Sequence, residues 1–139
     1  MITTTTNFQA ESKRLGDIFE DLVENDLSRI GITEPEKNIT LQDVGVEVDF
    51  AYTDSVGRQF YIEAKGGESG KNKRPGARRT DNVKKAIANG ALIKAAYPDA
   101  QFLVYFSELP KFGSSSHKMI KNAVLAGYID GVRYLIKYE

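Results

Sequence analysis

Two runs near the middle of the chain alternate apolar and polar residues with a period of two. Val46 to Thr53 reads VEVDFAYT, and Gln59 to Lys65 reads QFYIEAK. Alternation of this kind predicts β-strands. Asp54, Ser55, Val56, Gly57 and Arg58 lie between them and have the length and composition of a hairpin loop. A hairpin symmetric about Val56 pairs Thr53 with Gln59 and sets Asp49 opposite Glu63. One face then carries Val46, Val48, Phe50, Tyr52, Phe60, Ile62 and Ala64 and is expected to be the core face. The other carries Glu47, Asp49, Ala51, Gln59, Tyr61, Glu63 and Lys65.

The flanking segments carry helical and strand patterns in turn. Leu15, Ile18, Phe19, Leu22, Leu27 and Ile30 recur at helical spacing and predict a helix from about Gln9 to Ile30, stopped by Gly31. Residues 1 to 9 read as a loose arm, with Thr6 or Asn7 as the cap of that helix. Ile39 to Leu41 reads as a short strand. Thr80 is the expected cap of a helix from Asp81 to about Ala96, with Val83, Ile87 and Ala91 on one face and Ala86, Gly90 and Ile93 beside it. Gln101 to Ser107 is almost continuously apolar and predicts a buried central strand. One of Ser114, Ser115 and Ser116 is expected to cap a helix from about His117 to Ala126, ahead of Gly127. Val132 to Tyr138 alternates as a last strand. This order predicts an α/β fold, a mixed central sheet of about five strands flanked by helices.

Composition narrows the class. A chain of 139 residues, 41% hydrophobic and 27% charged, predicts one domain over residues 1–139. No apolar run is long enough to cross a bilayer, and the threonine-rich start lacks the pattern of a signal peptide, so a cytoplasmic protein is expected. Absence of cysteine excludes disulfides and thiolate zinc sites. The formal net charge of zero hides an asymmetry: up to Ala64 there are 13 acids and 5 bases, and from Lys65 onward 6 acids and 14 bases. Residues 66 to 79, GGESGKNKRPGARR, read as a mobile basic loop. Lys71, Lys73, Arg74, Arg78 and Arg79, extended by Lys84 and Lys85, are the expected contacts to nucleic-acid phosphate. A solvated linker is the plainer alternative. Gly66 to Lys71 is one residue too short for a phosphate-binding P-loop, and Asn72 stands where a Ser or Thr is required.

Asp49, Glu63 and Lys65 carry the chemistry. Two carboxylates with the Ala64 backbone carbonyl between them suit a hard cation such as Mg²⁺, which prefers oxygen ligands and keeps several waters. An ammonium two residues from Glu63 points the same way and can orient a water or stabilise developing negative charge. The plainer alternative is a solvent-facing hairpin with Lys65 paired to Glu47 or Asp49 across the strands.

Asp49, a hairpin, then Glu63-Ala64-Lys65 resembles the motif of the PD-(D/E)xK nuclease superfamily, the restriction-endonuclease-like fold. The position before Asp49 holds Val48 rather than proline. Gly16-Asp17-Ile18-Phe19-Glu20 resembles the family's first-helix glutamate pattern, which makes Glu20 a further candidate metal or water ligand beside its plainer reading as part of a solvated acidic face. The resemblance implies Mg²⁺-dependent hydrolysis of DNA by a metal-activated water, with Mn²⁺ able to substitute. Asp49 and Glu63 would bind the metal with the Ala64 carbonyl, and Lys65 would orient the water. One active site per subunit implies a homodimer or two binding events for cutting two strands, and a symmetric homodimer is the commoner arrangement. The small size and the Gly16 to Glu20 segment also resemble Holliday junction resolvases. A non-catalytic nucleic-acid-binding module on the same fold is the other reading. Asp43 and Glu47 are additional carboxylates near the motif.

Overall fold

The computed structural model describes residues 4–66 and 76–136, with side chains from Asp17 onward. Helix α1 spans Thr4–Arg29, strands β1 to β3 span Glu36–Leu41, Val46–Thr53 and Gln59–Lys65, and a 3-10 turn covers Gly76–Arg78. Helix α2 spans Thr80–Ala96, β4 Gln101–Phe106, α3 Ser115–Ala126 and β5 Gly131–Tyr134. The five strands form one mixed sheet in sequential order. β1, β2 and β3 run antiparallel, while β3, β4 and β5 are parallel. The α/β class and the order of elements are as expected. Among the described residues, no helix is long and apolar enough to cross a membrane.

Both faces of the sheet are covered. Phe19, Val23 and Leu27 of α1 pack on Phe50, Ile62 and Tyr105. The opposite face packs against α2 and α3: Val83, Ala86, Ile93, Ile120 and Ala123 meet Val46, Val48, Phe102, Val104 and Phe106. Two expected stripes are corrected. α1 buries Phe19, Val23 and Leu27, at steps of four, while Ile30 lies beyond the helix and is exposed. α2 buries Val83, Ala86, Gly90 and Ile93 rather than the face of Ile87 and Ala91.

The helix ends follow local chemistry. Ile32 N–H donates to Leu27 O at 2.9 Å and Gly31 N–H to Ser28 O at 3.1 Å, with Gly31 at φ 95°. This pair of bonds satisfies the last carbonyls of α1, and the positive φ explains the glycine. α1 begins at Thr4, so the helix includes most of the segment read as a loose arm. Ser114 caps α3 by accepting from His117 N–H, and α3 starts two residues before His117. α2 corrects its expected cap: the N-cap is Arg79, with no side-chain cap bond, and Thr80 is already helical.

Candidate functional site

The hairpin has the register expected from its sequence. Thr53 pairs with Gln59, Tyr52 with Phe60, Ala51 with Tyr61 and Phe50 with Ile62. Asp54 holds the loop by accepting from Val56 N–H at 3.0 Å and from Arg58 N–H and Nε at 2.8 Å each. The ladder stops one step short of Asp49 and Glu63, so these two are not a ladder pair. Asp49 Oδ2 instead accepts the N–H of Ala64 at 2.7 Å. A side-chain carboxylate thus takes a backbone donor at the point where β2 and β3 part.

The same point corrects the expected faces. Val46 and Val48 belong to the core beneath α2 and α3, whereas Phe50 and Tyr52 pack on the α1 side. Residues two apart in a regular strand share a face, so the alternation breaks at Asp49. The neighbouring strand breaks in step. Ile39 packs with the α2 and α3 core, while Lys37 Nζ reaches Glu24 Oε1 of α1 at 2.8 Å. Between them Asn38 has φ 52°, a left-handed conformation that Asn tolerates better than most residues. The β1–β2 ribbon keeps its register but rolls over at Asn38 and Asp49.

Glu63 is 2% exposed. It lies on the α2 side, where Asn89 Nδ2 donates to its Oε1. Its Oε2 is buried and has no hydrogen-bond partner among the described residues, with Lys65 Nζ at 3.5 Å. That separation gives Coulombic attraction but lies beyond the usual length of a hydrogen bond. Burial pushes the Glu63 carboxyl above its ordinary value, against the pull of Lys65 and Asn89, and Asp49 adds to the rise. Burial likewise raises Asp49, opposed by the Ala64 N–H and Lys65 and aided by Glu47. Glu20 on α1 is raised by burial first, then by the charges of Asp49, Asp17, Asp21 and Glu47.

Glu20 of α1 lies within the field of Asp49, and Asp49 and Glu63 therefore share one locus where β2 and β3 part, with Lys65 beside it. Glu47 is exposed at its margin, and Asp43 is exposed in the turn between β1 and β2. Ala64 touches Asp49 through its N–H, a role distinct from the carbonyl ligand expected of it. Arg78, Arg79, Lys84 and Lys85 are exposed around the start of α2. Lys71, Lys73 and Arg74 lie outside the described residues.

The donor set fits a hard divalent cation. An oxygen that is buried, charged and without a hydrogen bond costs free energy unless a positive partner meets it. Among the described residues no group of three carboxylate or imidazole side chains is placed to cage an ion alone. Mg²⁺ does not need such a cage, because it takes one or two carboxylates and retains water or substrate oxygens. Asp49 and Glu63 supply that number.

Asn89 is the site residue that the hydrophobic pattern misses. Its signal is local: Asn89-Gly90 places two weak helix formers in the interior of α2. Asn89 is there for Glu63. Gly90 is there for close packing, since a Cβ at that position would strike the Tyr128 carbonyl and a Phe102 ring carbon at 2.9 Å.

No protein-family model matches this chain, and no curated protein matches it.

Proposed function

We propose that this protein is a divalent-cation-dependent DNA endonuclease of the PD-(D/E)xK kind. The observation that carries the reading is the unsatisfied Glu63 Oε2, buried beside Lys65 and Asp49 where β2 and β3 part. A bound Mg²⁺ or Mn²⁺ would neutralise phosphate charge and acidify a water. Asp49 and Glu63 hold that cation. Asn89 fixes the Glu63 carboxylate, leaving Oε2 as the oxygen for the cation. The Ala64 N–H does the same for Asp49 through Oδ2. Lys65 orients the attacking water and offsets the negative charge that grows on the phosphate in the transition state. Glu20, on α1 within the field of Asp49, is the further candidate to hold water or cation. Cleavage of both strands takes a pair of subunits or two binding events by one.

The test is nicking of supercoiled plasmid and of a four-way DNA junction with Mg²⁺, with Mn²⁺ and with EDTA. Lys65→Ala and Asp49→Ala are each expected to lower the metal-dependent rate at least about 100-fold, the scale of losing one charge-stabilising group. Preferential cutting of the junction would assign a junction-resolving role within the same chemistry. Cutting that persists in EDTA or in both variants would defeat the proposal.

A further inference from the structure

A second set of polar groups lies at the same edge of the sheet and has no part in the carboxylate site. Arg78, Thr80, Lys111, Ser114, Ser115 and Ser116 line a cleft of about 340 Å³. Two helices begin in it. α2 starts at Thr80 with no side-chain cap, and α3 starts at Ser115 behind the Ser114 cap. The first amides of a helix have no partner inside it, and its positive dipole end attracts anions. The Ser114 cap takes only the His117 amide, and those of Ser115 and Ser116 have no hydrogen-bond partner among the described residues.

The floor of the cleft supplies an independent sign of a ligand. Ser116 is 2% exposed, and its Oγ is buried with no hydrogen-bond partner among the described residues. Buried hydroxyls are normally satisfied, so this one is open to a partner that the described residues do not provide. None of the lining residues is a carboxylate. Two cations, hydroxyls and helix-end amides select an anion with several acceptor oxygens.

Backbone bonds tie this cleft to the carboxylate site. Ser107 N–H donates to Lys65 O at 3.2 Å, and Ala77 N–H donates to Glu108 O at 3.1 Å. The end of β3, the turn after β4 and the turn before α2 are thus joined between Lys65 and Arg78. Gly76 permits that junction: its φ is 55°, and a Cβ there would meet Glu108 N at 2.5 Å. Phe112, next to Lys111, is 90% exposed, with its ring centroid 5.0 Å from that of His117. An exposed ring beside a phosphate site is a surface on which a nucleobase can stack.

We infer that this cleft is a second phosphate-binding subsite, which seats a phosphate of a nucleic-acid strand next to the one at Lys65. It deepens the nuclease reading, but it predicts binding without a metal. That phosphate is either the terminal monoester of a strand end or an internal phosphodiester, and both present the same oxygens.

The experiment measures fluorescence anisotropy of a labelled oligonucleotide in EDTA, with a 5′-phosphate in one arm and a 5′-hydroxyl in the other. The double variant Arg78→Ala/Lys111→Ala is expected to bind at least about tenfold more weakly. It should also flatten the salt dependence by one to two phosphate contacts' worth, about 0.7 in slope for each on a single strand. Ser116→Ala should weaken binding severalfold while melting no lower than the parent, because it deletes an unsatisfied buried hydroxyl. A preference for the 5′-phosphate that the variants erase assigns the terminal monoester. Equal weakening in both arms assigns the internal phosphodiester. Undiminished binding by both variants overturns the subsite and leaves the nuclease proposal standing. Loss of binding in the variants alongside failed cleavage by the parent does the reverse.

Discussion

A carboxyl as buried as Glu63 holds its proton more tightly in the fold than in the unfolded chain. Its pKa is raised by burial from an ordinary 4.5, so the fold loses stability as pH rises through 4.5 toward the raised value. The penalty is complete once the pH has passed the raised value. Glu63→Gln removes the charge and keeps an acceptor for Asn89. At pH 7 without divalent metal, the variant is expected to melt higher than the parent by roughly 2–5 °C, the effect of about 1 kcal/mol in a chain of this size. Added Mg²⁺ should raise the parent's melting point and leave the variant's unchanged. A variant that melts lower, or gains equally from Mg²⁺, would show that Glu63 serves the core and not a cation. The alternation of the hairpin was enough to bring Glu63 and Lys65 together. It could not reveal that Asp49 would take the Ala64 amide, because a period of two describes a strand whose ladder continues. Asn89 was hidden for a related reason: polar residues on helices are read as solvated unless their tertiary partners are known.

At the scale of elements, α2 is fitted closely to the sheet. Gly90 normally weakens a helix interior by about 1 kcal/mol relative to alanine. Here Gly90→Ala is expected to destabilise despite that gain, by roughly 1–3 kcal/mol, because the added methyl meets the Tyr128 carbonyl and Phe102. Chemical denaturation measures it, and an increase in stability would mean that α2 can lift without cost. Strand and helix identities were legible because each had its own period and punctuation: Gly31 and Gly127 after helices, Ser114 before one, Asp54 and Gly57 in the hairpin. Which stripe faces inward was less legible. Both α1 and α2 carry apolar residues on adjoining stripes, and the choice falls to the sheet positions they meet. The face switch at Asn38 and Asp49 also lies beyond a strand-by-strand reading, since it takes both strands rolling together.

Across the whole molecule, the parallel half of the sheet explains why the two proposed sites share one edge. α2 joins β3 to β4 and α3 joins β4 to β5, and both pack on one face. Parallel crossovers keep one hand, which puts both helices on that face, and because each follows a parallel strand both start at the carboxyl ends, the end of the sheet that holds Lys65. Ligands of open α/β sheets gather at that edge. A separate network closes the molecule on the α1 side. Asp26, 4% exposed, accepts from Tyr105 Oη at 3.0 Å and pairs with Arg133 Nε at 2.7 Å. Arg133→Ala strands that carboxylate in an apolar seam. Losing a partner in a fully buried pair costs roughly 3–5 kcal/mol, but this guanidinium is 57% exposed and screened by water, so about 2 kcal/mol is expected. Urea unfolding would measure it, and an unchanged midpoint would show the pair to be idle. The two ends of that pair are 107 positions apart. At synthesis rates of about 5–20 residues per second, Asp26 is made roughly 5–20 seconds before the arginine that neutralises it. Throughout that interval the nascent chain carries a bare carboxylate on the very stripe that must dock. Docking of the first helix is therefore weaker by about the same 2 kcal/mol until β5 is made, and the α1 flank reaches its full stability only once Arg133 is in place.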